Sequence, residues 1–164
     1  MAEQGNQDDR DGISAFLIHV DVATLRRSAS GSITGTIYVD LERAFPDQGW
    51  SDFVVVILGW WLRAIGRLRD GAGSEELSFM DGPYKLRVWT SDGQWYAVEG
   101  LRNDAKSVVI STGQATLEQL AFETHRAASR VIDACSAHCW RSPDIDVLSE
   151  LVNQSGPTRR RISD

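Results

Sequence analysis

The polar residues with the clearest chemical potential lie near the N-terminus, on a segment that reads as a strand. His19 and Asp21 are separated by one residue, so an extended backbone places both side chains on the same face. An imidazole beside a carboxylate is the arrangement of a general base whose orientation is fixed by an acid. Ser14 lies on the opposite face, and the sequence contains no Gly-x-Ser-x-Gly nucleophile motif. The pair is therefore predicted to be a polar contact on an open sheet face.

A second group of residues has the types that bind metal ions. Cys135, His138 and Cys139 lie at positions i, i+3 and i+4, so a continuous helix would bring them to one side. Zinc needs three or four ligands at bonding distance, and structural zinc sites usually arrange theirs around tight turns. A fourth candidate, His125, lies ten residues before Cys135. We predict two free thiols with no metal and no cofactor, and zinc bound by the three residues is the alternative.

Aromatic and charged residues on the predicted strands favour binding. Trp89 alternates with Val88, which belongs to the apolar face, so Trp89 is predicted to lie on the polar face beside Arg87 and Tyr38. An exposed tryptophan is typical of a contact surface between proteins. The predicted binding residues are His19, Asp21, Tyr38, Asp40, Arg87 and Trp89.

Two neighbouring tryptophans, Trp60 and Trp61, occur on a predicted helix. Their side chains leave the helix about 100° apart. We expect both to lie in the core, with each indole N–H hydrogen-bonded locally. The alternative is that one of the two lines a groove or a partner interface.

Acidic residues gather around the loop before this helix. Asp40, Glu42, Asp47 and Asp52 are expected to be solvated and to favour the positive end of the helix dipole. A patch that steers a basic partner is the alternative interpretation.

The pattern of apolar residues predicts the elements that position these side chains. Alternation predicts an antiparallel pair of strands over Ser14–Val22 and Ile33–Leu41. Four short strands follow the first helix, separated by turn sequences such as Asp81-Gly82-Pro83. A capping box at Thr116–Gln119 begins the second helix, and Ser142-Pro143 begins the third. The order ββαββββαα predicts an α+β fold, an antiparallel sheet with helices packed on one face.

The first helix is predicted over Phe53–Leu68. Its first half is apolar on nearly every side and contains four consecutive β-branched residues from Val54, which by propensity alone would also suit a strand. Apolar residues then continue at helical spacing, which favours a central helix buried on more than one side. Ser51 is the predicted N-cap, and Asp52 follows it at the positive end of the dipole.

Length and charge limit the class of protein. The chain has 164 residues, enough for one domain with its own core. The 17 Lys and Arg against 23 Asp and Glu give a net charge of −6, which disfavours nucleic acid as a partner. The longest apolar run is the ten residues Phe53–Leu62, and about twenty are needed to cross a bilayer, so no membrane association is predicted.

The ends of the sequence predict its organisation and location. The N-terminus is polar and acidic and lacks the features of a secretory signal, so we expect a cytoplasmic protein. Residues 1–12 are predicted to be a disordered lead, residues 13–153 a single α+β domain, and residues 154–164 a flexible tail.

These observations predict a non-enzymatic, cytoplasmic protein-binding module whose partner is another protein or a second copy of the chain. One specific form is a small acidic inhibitor of the kind that neutralises a bacterial toxin, an analogy of size and charge only. The alternative is a small-molecule-binding protein or an enzyme with a pocket between the sheet and the helices. Its candidate residues are His19, Asp21 and Tyr38.

Overall fold

The computed structural model describes residues 16–156. The strands are β1 (Leu17–Arg27), β2 (Ile33–Asp40), β3 (Ala44–Phe45), β4 (Ser51–Asp52), β5 (Ser74–Ser78), β6 (Tyr84–Thr90), β7 (Trp95–Asn103) and β8 (Ser107–Thr116). The helices are α1 (Val54–Arg69), α2 (Leu117–Ala137) and α3 (Pro143–Ser155). The predicted lead, residues 1–12, lies outside the described range, as do residues 157–164 of the predicted tail. Residues 154 and 155 belong to α3 and not to a tail.

The strands form two antiparallel sheets. The first contains β1, β2, β3 and β4, and both short strands pair with β2. The second is the meander β5-β6-β7-β8, whose first two turns contain Gly82 and Gly93 at positive φ, as their turn sequences predict. In β2 and β6 apolar residues are buried at alternate positions, so each sheet has one face toward the core and one toward solvent.

The first helix lies at the centre of the molecule. It contacts β2 of the first sheet, β5 of the second sheet and both other helices, and its buried residues surround most of its circumference. Trp61 is fully buried and its indole N–H donates to the carbonyl of Ser78 at 2.8 Å. Trp60 is 38% exposed, so the expectation that both tryptophans are core is wrong for Trp60. Trp60 lies in an exposed sector of the helix, which it shares with Arg63 and Arg67 at helical spacing.

The predicted N-cap of this helix is also wrong. The N-cap position is occupied by Phe53, whose side chain makes no capping hydrogen bond. Ser51 and Asp52 instead pair with β2 as a short strand. The two later helix starts agree with the sequence: Thr116 forms the capping box with Gln119, and Ser142 caps α3.

Asp52 is a buried carboxylate, only 1% exposed, and not a surface acid. One oxygen accepts the backbone N–H of Phe53 at 2.7 Å. The other accepts the indole N–H of Trp50 at 3.2 Å and the backbone N–H groups of Met80 and Asp81 at 3.2 and 3.1 Å. Four donors compensate the cost of removing the carboxylate from water. They also tie the loop before α1, the start of α1 and the β5–β6 turn to one point.

The second helix lies along the outer edge of β1. The carboxylate of Glu123 accepts the backbone N–H of Ile18 at 3.1 Å, and Arg126 donates to the Ile18 carbonyl at 2.9 Å. Arg126 and Glu123 are themselves an ion pair at 2.6 Å. Glu123 is 7% exposed, so this pair is part of the packed structure between α2 and β1.

The two sheets meet along a seam between the β2–β3 segment and β8. The backbone N–H of Glu42 donates to the carbonyl of Thr112 at 2.8 Å. The guanidinium of Arg43 donates to the carbonyl of Ile110 at 2.6 and 2.9 Å. One backbone hydrogen bond and the side-chain bonds of Arg43 join the sheets here without a regular strand ladder, so the expected single sheet is observed as two.

The element order and the α+β class are confirmed. The last two strands, predicted over Trp95–Glu99 and Ser107–Ser111, are longer in the structure. The strand β7 continues to Asn103 at the hairpin end, and β8 continues to Thr116, which pairs with Trp95. No helix among residues 16–156 combines the length and the apolar character needed to cross a membrane.

Close packing of an aromatic ring at the seam generates a prediction. A Cβ built on Gly100 would lie 2.6 Å from the ring of Phe45, which is 0% exposed. We expect Gly100→Ala to lower the free energy of unfolding by about 1–3 kcal/mol through overpacking. Gly66→Ala in α1 meets nothing within 4 Å. That control is expected to raise stability by about 0.5–1 kcal/mol. Urea denaturation measures both, and equal effects of the two variants would contradict the packing argument.

The buried carboxylate generates a second prediction. Asp52→Asn replaces an acceptor oxygen by an amide that itself donates, so at least one of the four donors loses its partner. We expect a loss of about 2–4 kcal/mol in the free energy of unfolding. Asp47→Asn is the control at an exposed acid of the same loop, expected to change stability by less than about 0.5 kcal/mol. Thermal or urea unfolding of both variants decides the matter, and an Asp52 variant as stable as the control would exclude the role assigned to this carboxylate.

Candidate functional site

The six predicted binding residues divide between the outer faces of the two sheets. His19, Asp21, Tyr38 and Asp40 lie on β1 and β2 of the first sheet, and Arg87 and Trp89 lie on β6 of the second. All six occupy positions that alternate with buried apolar residues, as expected. The structure therefore contains two separate polar surfaces where the sequence predicted one.

On the first sheet, three of these residues form a compact group. His19 lies opposite Tyr38 in the strand register, and their rings stack with centroids 4.8 Å apart and planes 12° from parallel. The Nε2 atom of His19 lies 2.6 Å from Oδ2 of Asp40. Both side chains of this pair are about two-fifths exposed. This is the geometry of a solvated cross-strand contact, in which the imidazole is held in one orientation on an open sheet face.

Asp21 does not contact His19, which corrects the predicted pair. Its Oδ1 accepts the backbone N–H of Ala23 at 3.0 Å, and its carbonyl accepts the hydroxyl of Thr24 at 2.6 Å. These bonds stabilise an irregularity in β1, where the pairing with β2 shifts between Asp21 and Arg26. A short acidic side chain that bonds its own backbone two residues on is typical of such a turn.

On the second sheet, charged side chains pair across neighbouring strands. Arg87 lies directly opposite Glu99, and its Nε donates to Oε2 at 2.8 Å. The ammonium of Lys85 lies 2.7 Å from Oε1 of Glu76. The guanidinium of Arg87 is therefore engaged within the sheet, and the next outward residue along β6 is Trp89.

A cavity of about 520 Å³ opens on this face at the end of the β6–β7 hairpin. Trp89 and Trp95 line it and are 41% and 39% exposed. Ala97 lies directly opposite Trp89 in the register and shares the outward face with Trp95. Ala97 also lines the cavity. The lining also includes Glu42, Asp92, Thr112 and Gln114.

The hairpin turn fixes the position of Trp95. The Oδ1 atom of Asp92 accepts the backbone N–H groups of Gln94 and Trp95 at 2.8 and 3.0 Å. It also accepts the hydroxyl of Thr90 at 3.3 Å. The backbone donors, that of Trp95 foremost, hold the pKa of Asp92 below the ordinary aspartate value because they stabilise the charged form.

The seam between the sheets places a second carboxylate at the cavity. The backbone of Glu42 bonds Thr112 of β8, and its Oε2 lies 3.3 Å from the Thr112 hydroxyl, which donates to it. Glu42 was expected in an acidic cluster with Asp40, Asp47 and Asp52. That cluster is not a single surface, because Asp52 is buried and Asp40 is paired with His19.

Sequence reasoning missed Trp95, Asp92 and Gln114 as parts of one site. For Trp95 a signal existed, since it alternates with the buried Tyr96 and so had to share the outward face. For Glu42 the signal was absent, because its place at the cavity depends on the contact between two sheets.

The three residues of the zinc alternative, Cys135, His138 and Cys139, do not come together as a metal site. Cys135 is buried, which raises the pKa of its thiol, whereas Cys139 is exposed beyond the end of α2. His138 stacks on Trp140 with ring centroids 4.4 Å apart. Between residues 16 and 156, no three His, Cys, Asp or Glu side chains are grouped so as to hold a metal ion.

The alternative function, a small-molecule site or an enzyme, is predicted to have its pocket between the sheet and the helices. This cavity lies elsewhere. Its lining comes from β6, β7, β8, a turn and the seam, and none of its lining residues lies on a helix. His19, Asp21 and Tyr38 do not line it.

Comparison of the chain with known protein families, with curated proteins and with solved structures found no match.

The lowered pKa of Asp92 leads to a prediction about the hairpin. A carboxyl group with a depressed pKa stabilises the turn fully at neutral pH and loses that effect as the pH falls through the depressed value. We expect the Asp92 carboxyl carbon to titrate in NMR below the ordinary aspartate range. Below that midpoint, the Trp95 amide should lose protection from hydrogen exchange.

Asp92→Asn is the matched control for this titration. The amide oxygen of asparagine still accepts hydrogen bonds but does not titrate, so the added loss of protection at low pH should vanish. An Asp92 midpoint at or above the ordinary range would contradict the assignment.

Proposed function

We propose that this chain is a non-enzymatic protein-binding module, and that it binds its partner through the outer face of the second sheet. The observation that carries the proposal is the pair of tryptophans, Trp89 and Trp95, which both line the cavity and are both exposed. An indole side chain supplies a large contact area and loses little conformational entropy on binding. Tryptophan is accordingly enriched among the residues that dominate binding energy.

The charge of this region favours a basic segment of another protein as the partner. Glu42 and Asp92 contribute two carboxylates to the cavity, and the chain as a whole carries −6. Opposite charges on two proteins accelerate their association and orient the encounter. The specific form of this function that the sequence suggests is a small acidic inhibitor of a bacterial toxin, and it would use the same face.

The volume of the cavity favours one alternative, a small ligand. About 520 Å³ falls in the range of small-molecule sites, which usually bury most of their ligand. This cavity lies on an open sheet face with both indoles partly in solvent, an arrangement better suited to a protruding side chain of a larger partner.

The proposal predicts that Trp89 carries binding and that an equally exposed tryptophan elsewhere does not. We expect a displayed library of random peptides to yield binders with net positive charge. Trp89→Ala should weaken them by about 30-fold, the loss of a hot-spot residue. Trp60→Ala is the matched control, because Trp60 is 38% exposed but lies on α1, and it should leave affinity within about twofold. Isothermal titration of purified protein measures both.

Three outcomes would count against the proposal. They are a library that yields no binder, binders without positive charge, and equal affinities of the two tryptophan variants. Sedimentation of the free protein separates a foreign partner from a second copy, since self-association that Trp89→Ala abolishes would identify the partner as this chain itself.

A further inference from the structure

The charged groups around the Trp89–Trp95 cavity are of one sign. Two of its lining residues, Glu42 and Asp92, are acidic, and none of its lining residues is Lys, Arg or His. The nearest cation along β6, Arg87, is neutralised by Glu99 on the neighbouring strand. At the seam, the guanidinium of Arg43 is directed to the Ile110 carbonyl, and Arg43 is not part of the lining. The charge carried by the lining itself is therefore negative.

The hydrogen bonds of the two carboxylates leave acceptors for an incoming donor. Asp92 uses Oδ1 for the turn, and Oδ2 accepts no hydrogen bond from residues 16–156. Glu42 is exposed, and within the same range its carboxylate accepts one long hydrogen bond, from the Thr112 hydroxyl to Oε2. An ionised carboxylate can accept about four hydrogen bonds, so both groups retain capacity.

Two kinds of cation could use these groups, and the indoles distinguish them. An ammonium is strongly hydrated and behaves as a point charge. A guanidinium is flat and weakly hydrated, stacks on indole faces, and presents its donors in a fork that fits a carboxylate. The cavity combines exposed indoles with carboxylates that can still accept hydrogen bonds. This combination fits the guanidinium of an arginine better than the ammonium of a lysine.

We propose that the Trp89–Trp95 cavity receives an arginine side chain of the partner, with its guanidinium stacked on an indole and hydrogen-bonded to Glu42. This proposal rests on the proposed function and adds the chemical group that is recognised. Ala97, a small residue directly opposite Trp89, also lines the cavity that the flat group enters.

Defined peptides test this proposal without knowledge of the natural partner. The probe is a peptide of four Gly-Arg repeats, compared with the same peptide carrying citrulline, which has the shape of arginine without its charge, and with a lysine version. We expect the arginine peptide to bind at least tenfold more tightly than the citrulline peptide and several-fold more tightly than the lysine peptide. Its affinity should fall as salt concentration rises.

Variants of the protein locate the site. Glu42→Gln should weaken the arginine peptide several-fold, and Glu118→Gln, which changes the net charge equally at an exposed position of α2, should leave it unchanged. Trp89→Ala should abolish the difference between arginine and citrulline. Quenching of tryptophan emission and isothermal titration report the binding.

The outcomes separate this proposal from the one on which it depends. Library peptides that require Trp89 but bind equally well when arginine is replaced by citrulline would overturn the arginine assignment and leave the protein-binding face intact. Equal loss in Glu42→Gln and Glu118→Gln would also overturn it, because the effect would then be one of net charge. Arginine peptide binding that is indifferent to Trp89 would overturn both proposals.

Discussion

The rest of the structure depends on a desolvated negative charge in the loop before the central helix. The carboxylate of Asp52 collects donors from its own loop, from the start of α1 and from the turn that leads into β6. A buried charge of this kind is tolerated only when its partners are all in place, so the three segments are ordered together. Because β6 follows that turn directly, its outward residues, Trp89 among them, have a fixed position relative to the core.

A second constraint joins the sheets and creates the cavity. The ring of Phe45 from the first sheet lies against Gly100 of the second, where no larger residue fits without movement. The same seam brings Glu42 beside Thr112, so a residue from one sheet completes a site carried by the other. The proposed binding face is therefore a property of the assembled fold, although its tryptophans are close in sequence.

Much of this architecture could be predicted from local patterns, and the exceptions have physical causes. Alternation correctly placed Trp89 outward, and the capping box at Thr116 correctly began α2, because both signals are complete within a few residues. Alternation places His19 and Asp21 on one face, but it does not show that Asp40 of β2 lies within reach of His19, because that contact depends on how two strands pair. The sequence predicts Asp52 to be a surface acid near a helix start, because two of its donors are backbone N–H groups of the β5–β6 turn, far along the chain.

One feature of the fold limits how partners can approach the first sheet. Glu123 and Arg126 occupy the amide and the carbonyl of Ile18, the groups through which a foreign strand would have to extend the sheet beyond β1. Intermolecular β-sheet growth, the route to strand addition and to fibrous aggregation, is closed at that position by an ion pair already bonded to the backbone. A partner that binds as proposed therefore meets side chains on a sheet face, and the backbone of Ile18 is already occupied.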